Sequence, residues 1–319
     1  MDRVGARGSP KRVVHVSEQG LSRSEESAGV FYAVGAYLLW GFLPLYWRQV
    51  HEVPAVEMTA HRTLWCVVLL GVLTLVRGRV GEIVAILRTP KTRWTLVATS
   101  ALITVNWTLF MYALVTDQVV ESSLGYYMTP VISFALGIVL LRERPSSLRM
   151  FCIALATCGV LVQLFAFGRL PWVALGLAVT FGLYGYLRKK APVAAMDGLL
   201  VETGLVVPIA IVLILWWYVH GEGLFLIGNV KRDVLLVVGG ALTIAPLALF
   251  AAAMRRVRMT TMGFLQYMAP TISLLVAIFI FHEPFDLGDL VSFAFIWAAI
   301  VIAVLESLVT KAPGVPDAA

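Results

Sequence analysis

Charge is what this sequence has least of. Only 14% of its 319 residues are Asp, Glu, Lys or Arg, and 60% are apolar; a soluble domain carries about 25% charged and 45–50% apolar residues. Cysteine is scarce too. Cys66, Cys152 and Cys158 all lie in apolar segments. An odd number without C-x-x-C spacing argues against a disulfide framework or a zinc site, and suits small buried packing residues. The chain has no G-x-x-x-x-G-K-[ST] loop, so it holds no machinery for spending nucleotide, and no G-x-S-x-G elbow. His51-Glu52 and His282-Glu283 are followed by Ala55 and Asp286 where a zinc helix requires a second histidine. No cofactor, metal or enzymatic activity is expected.

What is present is apolar sequence in runs of about twenty residues, the length that crosses a hydrocarbon core of roughly 30 Å as helix. Mean hydropathy is +0.86. The runs predict spans at 28–47, 56–76, 94–114, 118–141, 148–165, 170–187, 197–217, 233–254, 260–281 and 287–308. The fold class expected is an all-α polytopic membrane protein of ten transmembrane helices. Residues 1–27 are polar and lack an apolar signal core, and read with 309–319 as tails.

The formal charge is +6, but the basic residues stand between the apolar runs rather than in a stripe, so nucleic acid is not an expected partner. With the N-terminus in the cytoplasm, 20 basic residues fall on the inner side and four on the outer, Arg48, Arg169, Lys231 and Arg232, with Arg62 inside a span. Basic loops stay cytoplasmic, so both termini and an even number of spans are placed accordingly.

The chain also repeats itself. Tyr127-Met128-Thr129-Pro130-Val131-Ile132-Ser133 recurs 140 residues on as Tyr267-Met268-Ala269-Pro270-Thr271-Ile272-Ser273, and the same offset carries Glu143 onto Glu283. Near offset 141, Trp40-Gly41 falls on Phe181-Gly182 and His61 on Glu202. Units at 28–165 and 170–308 hold five spans each, an odd number, so the second enters the membrane upside down. Inverted repeats are the architecture of alternating-access transporters.

Pro130 and Pro270 lie inside spans, where each removes a backbone donor and kinks its helix. Duplicated kinks suit a hinge beside a solute path; the plainer reading is packing. Ionisable groups in a span are functional candidates by default. His61 and Arg62 stand near the outer end of the second span, within reach of Glu121 for an Arg62–Glu121 ion pair, and Glu202 near the inner end of the seventh, with Arg255, Arg256 and Arg258 as its nearest basic groups. Glu202 or His61 is a candidate for a coupling proton; against this, Arg62 could snorkel and Glu202 fix a loop. Asn106, Trp107, Tyr126, Tyr127, Tyr184, Gln266, Tyr267 and Trp40 lie mid-span and complete a candidate solute pathway. Aromatic walls with a polar handle suit an amphipathic solute.

The strings Ala36-Tyr37 to Trp40-Gly41, Glu57-x-x-x-His61-Arg62, Glu121-x-Ser-Leu-Gly125-Tyr126, Gly159-Val-Leu-Val-Gln163, Gly182-x-Tyr184-centred with Arg188-Lys189-Lys190, Glu202-Thr203, Gly263-Phe264-x-Gln266-Tyr267 and Phe293-x-Phe-Ile-Trp297 closely resemble the EamA group of the drug/metabolite transporter superfamily. The resemblance covers about residues 28–310. It implies a ten-helix permease in the bacterial cytoplasmic membrane, a secondary transporter and exporter. It does not specify a substrate, because relatives carry chemically diverse solutes. Expected partners are a small-molecule substrate and the lipid bilayer, with a coupling proton and a homodimer left open. A membrane-embedded transferase would need a catalytic pair that the sequence lacks. A signalling or assembly subunit would need neither a duplicated kink nor deep polar groups.

Overall fold

A computed structural model describes residues 23–140, 142, 145–166, 170–254, 256–257, 259–285 and 287–309. Glu143, Arg169, Arg255, Arg258 and most of both tails, which enter the readings above, lie outside the described residues. Among the described residues the regular structure is all helical, with no strand. The elements are α1 (Arg23–Trp47), α2 (Ala55–Val76), α3 (Val80–Arg88), α4 (Pro90–Val115), α5 (Val119–Leu140), α6 (Ser147–Ala166), α7 (Trp172–Lys190), α8 (Ala195–His220), α9 (Val230–Met254), α10 (Met259–Leu265), α11 (Met268–Phe279) and α12 (Leu287–Val309), with one 3-10 turn at Arg48–Val50.

Local chemistry sets several boundaries. Pro90 opens α4 at the first turn, where its missing N–H costs nothing. Gly221 closes α8 in the left-handed region at φ +69°. The ninth apolar run is not one helix: α10 ends at Leu265, Gln266 and Tyr267 form a turn, and α11 resumes at Met268. α3 lies outside the ten expected spans.

The protein is an all-α polytopic membrane protein. Seven stretches, in α1, α2, α4, α5, α8, α9 and the α10–α11 segment, are long and apolar enough to cross a bilayer, and α6 and α12 carry shorter apolar stretches at Ser147–Val162 and Leu290–Ile302. Burial is inverted relative to a soluble fold. Val76, Val72, Ile209, Val212 and Trp216 are exposed, while Glu57, His61, Arg62, Asn106, Glu121 and Glu202 are buried. Apolar atoms outward and polar atoms inward is the arrangement lipid selects. Cys66 and Cys152 are buried as expected, but Cys158 is exposed on α6.

The helices pack as two sets that exchange partners. Match α1 with α7, α2 with α8, α4 with α9, α5 with α10–α11, and α6 with α12. The α1–α9 and α1–α11 packings then correspond to α7–α4 and α7–α5, and α2–α4 and α2–α9 correspond to α8–α9 and α8–α4. The α2–α8, α5–α11 and α6–α12 packings correspond to themselves. Two tight approaches obey the same correspondence. A Cβ on Gly41 of α1 would sit 2.6 Å from Ile272 of α11, and one on Gly182 of α7 would sit 2.7 Å from Ile132 of α5. Glycine lets these helices approach closely, as small residues do in membrane bundles.

Candidate functional site

The crossing of α1, α2, α4, α5, α7 and α9 with the α10–α11 segment leaves an aromatic-lined cavity, the concave and mostly apolar setting in which small-molecule sites form. Seven of the expected pathway residues line it: Trp40, Arg62, Asn106, Trp107, Tyr126, Gln266 and Pro270. Tyr37, Leu43, Phe110, Phe181, Leu247, Ala269 and Ser273 complete the wall. A second, smaller chamber shares Phe181 and Gln266 with the first and continues past Gly185, Phe250, Met254 and Met262.

Two of the lining positions owe their setting to the repeated prolines. Pro270 has no N–H to return to the carbonyl of Gln266, four residues earlier, and the helix breaks at Gln266–Tyr267. Pro130 stands in the same relation to Tyr126, yet α5 runs unbroken through it. Each proline therefore weakens the backbone at a residue whose side chain lines the cavity. The sequence alone cannot say which of two identical prolines breaks its helix.

Polar groups around the cavity are held by neighbouring helices. Asn106 Nδ2 donates to the Leu177 carbonyl and to Thr180 Oγ1, each at 3.0 Å, tying α4 to α7. Ser273 Oγ donates to the Gly41 carbonyl at 3.1 Å. Arg62 Nε donates to Thr243 Oγ1 at 2.7 Å, and its guanidinium lies 4.2 Å from the Trp107 ring centroid. Trp40 packs edge-on to Phe181 at 6.1 Å, and Tyr126 is likewise edge-on to Phe181 at 6.3 Å.

The remaining expected residues lie elsewhere. His61 is buried against Phe225, ring centroids 4.4 Å apart, with Nδ1 unpartnered. Tyr127 packs on Phe293 and Tyr267 and bonds Thr271 at 2.7 Å, behind α5 rather than in the cavity. Pro130 is buried within α5. The expected Arg62–Glu121 ion pair does not form: Arg62 is turned to Thr243 and Trp107, and Glu121 Oε1 accepts from the Val173 N–H at 3.2 Å. Glu202 is fully buried, and its basic partner is Arg188 at 3.6 Å rather than Arg256. Thr99 Oγ1 donates to Glu202 at 2.6 Å and Tyr184 OH at 3.3 Å, so this carboxylate joins α8 to α4 and α7.

The two ends of the bundle are tied by further polar contacts. Where α1 finishes, Arg48 pairs with Asp117, and Glu283 accepts the Val120 N–H at 2.9 Å, capping α5. Burial pushes the Glu283 carboxyl above its ordinary range; the Val120 and Val119 amides oppose the rise, Asp117 adds to it and Arg48 opposes it. The Leu224 N–H donates to Glu57 at 2.8 Å. At the opposite end, Arg79 bridges Glu82 and Asp197.

A multi-pass helical bundle built round an aromatic cavity with a buried cation has the form of a membrane transporter. The model of the EamA-like transporter family matches residues 27–165 and 170–305, and the chain belongs to that family. It is similar to Protein RarD of Escherichia coli (strain K12), 36% identical, with 89% of this chain and 96% of that protein covered. It is also similar to an uncharacterized transporter of Pseudomonas aeruginosa, 40% identical over 86% of this chain and 92% of that one. An uncharacterized transporter of Vibrio cholerae is 36% identical over 90% and 95%. One solved crystal structure superposes with a TM-score of 0.64 at 19% identity, covering 88% of this chain and 98% of that chain, a likeness of fold. The protein is thus a multi-pass integral membrane protein of the drug/metabolite transporter superfamily, and its family points to transport rather than catalysis.

Proposed function

We propose that the protein is a secondary transporter that exports a small metabolite or drug-like solute across the bacterial cytoplasmic membrane by alternating access. Ten spans form two inverted five-helix repeats, α6, α7 and α12 crossing with the seven longer apolar stretches, and both termini are cytoplasmic. The observation that carries this reading is the wall of the cavity. Trp40 and Phe181, 141 residues apart, and Tyr126 and Gln266, 140 apart, face the same space. A site built by corresponding positions of two repeats is one that either repeat can open.

The apolar cluster of Leu43, Trp47, Val50, Met58, Phe110 and Leu114 closes the bundle at the end where α1 finishes. The second chamber extends the cavity the other way, towards Met254 and Met262. This supports a conformation shut on the outer side. Glu202 takes the coupling proton in this reading, because its charge is felt by three helices at once through Thr99, Tyr184 and Arg188.

Counterflow in proteoliposomes tests the reading. Vesicles preloaded with members of a panel of amino acids, organic acids and amphipathic drugs are diluted into labelled solute. Accumulation that requires the reconstituted protein and falls when Trp107 is replaced by Ala supports transport through the cavity. Vesicles that accumulate nothing beyond empty controls across the panel contradict it.

A further inference from the structure

We propose that the cavity takes its solute as a small organic anion, a carboxylate or similarly planar head paired with Arg62 and an aromatic-sized body among Trp107, Tyr126 and Phe181. This inference rests on the cavity being the solute site.

Arg62 is only 3% exposed and lines the cavity. Its Nε is engaged by Thr243, and its guanidinium lies over Trp107 and, at 5.8 Å, over Trp47. Its two Nη groups carry no protein hydrogen bond among the described residues, and neither is sealed from the open space of the cavity. Among the described residues no carboxylate lines that space. The titratable groups near enough to act on the guanidinium are the Tyr126 phenol and the Cys66 thiol.

Buried carboxylates elsewhere in the bundle are engaged at their own sites. Glu57 accepts from Leu224, Glu121 from Val173, Asp197 pairs with Arg79, and Glu202 pairs with Arg188. Among the described residues the cavity therefore holds a positive charge with no protein counter-charge. A buried ion without a partner is strongly unfavourable. Lysine or histidine could relieve this by losing a proton; arginine does not. Stacking on Trp107 offsets part of the cost and leaves the planar Nη edge free, the edge that binds a carboxylate in two parallel hydrogen bonds.

The polar groups nearby suit the same solute. The Gln266 side chain has no protein hydrogen bond among the described residues, and the Tyr37 hydroxyl is buried without a partner. Gln266 lines the cavity and can serve a second polar atom on the solute, whereas the Tyr37 hydroxyl is sealed from that space. An amine would meet the Arg62 charge with no carboxylate to balance it. A neutral molecule of the same shape would gain the aromatic contacts alone.

The test is calorimetric titration of the purified full chain in detergent with four probes of one shape: 3-phenylpropionate, 3-phenylpropionamide, phenylalanine and 3-phenylpropylamine. The carboxylate is expected to bind about 10- to 100-fold more tightly than the amide, the range of a charge-assisted hydrogen bond, with the zwitterion between them and the amine weakest. Arg62→Gln should bring carboxylate and amide to equal affinity, and Arg62→Lys should restore part of the difference. The wild-type probe series stands even if Arg62→Gln fails to fold. An amide or amine that binds as tightly as the carboxylate overturns the proposal. So does unchanged carboxylate binding in folded Arg62→Gln, or binding by none of the four. Equilibrium binding needs no turnover, so a carboxylate that binds but is never moved in vesicles contradicts transport and leaves the anion site standing.

Discussion

Gly182 of α7 lies so close to Ile132 of α5 that an added Cβ would come within 2.7 Å of the isoleucine, and the repeat-related contact between Gly41 of α1 and Ile272 of α11 is as tight. Gly41→Ala and Gly182→Ala should each destabilise the bundle by about 1–3 kcal/mol through overpacking. Gly185→Ala, on the same helix with open space around its Cβ, should be near neutral. Thermal unfolding in detergent checks all three. Equal tolerance at the three sites would show that the close approaches are not needed.

The two prolines should differ in effect. Pro270 sits beside a broken helix and Pro130 inside a continuous one, so Pro270→Ala allows the Gln266 carbonyl a helical partner and stiffens the segment. Transport should fall in Pro270→Ala while solute binding survives, and Pro130→Ala should have the smaller effect. Vesicle flux and calorimetry on the same preparations measure the two quantities. Unchanged flux in both variants would remove the hinge.

Glu202 and Arg188 form an ion pair with the carboxylate fully buried. Removing one partner of a buried pair costs about 3–5 kcal/mol, because the other charge is stranded. Glu202→Gln and Arg188→Gln should each lower unfolding stability by that order, and the double variant should be less damaged than the two losses added together. Strict additivity in the cycle would mean that the charges do not act on each other.

Glu283 provides a pH dependence. Its carboxyl is raised above the ordinary 4.5 mainly by burial, so between that value and its folded value the native state binds more protons than the unfolded chain. Stability through this group is therefore greatest below pH 4.5 and falls as pH rises through the window. Glu283→Gln keeps an acceptor for Val120 and should remove this part of the slope. The difference in melting temperature between wild type and variant, followed from pH 4 to 8, reports it. A difference that does not vary with pH would contradict the assignment.

Much of the fold could be read from twenty-residue apolar runs alone. The expected span at 56–76 became Ala55–Val76 and that at 148–165 became Ser147–Ala166, because bilayer thickness fixes helix length. α3 escaped notice because nine residues in a basic loop cannot span. The direction in which each side chain points was harder to read. Tyr126 lines the cavity and Tyr127, turned about 100° round the helix, packs away from it on Phe293. A helix apolar on every side has no periodic face to show which neighbour points inward, so Phe110 gave no signal, while Tyr37 surfaced only in the family strings and Phe181 only as the repeat counterpart of Trp40. The partner of Glu202 was missed because loop proximity favoured the group Arg255, Arg256 and Arg258, while the fold brings Arg188 from the end of α7.

The central claim is that one cavity opens in turn to each side of the membrane. Ala269 lines it and can be replaced by Cys in a background where exposed Cys158 is Ala. Labelling of Ala269→Cys in right-side-out and inside-out vesicles with a membrane-impermeant thiol reagent tests the claim directly. Alternating access predicts labelling from both sides, with 3-phenylpropionate slowing it from each. Labelling from one side alone, whatever solute is present, would contradict the account.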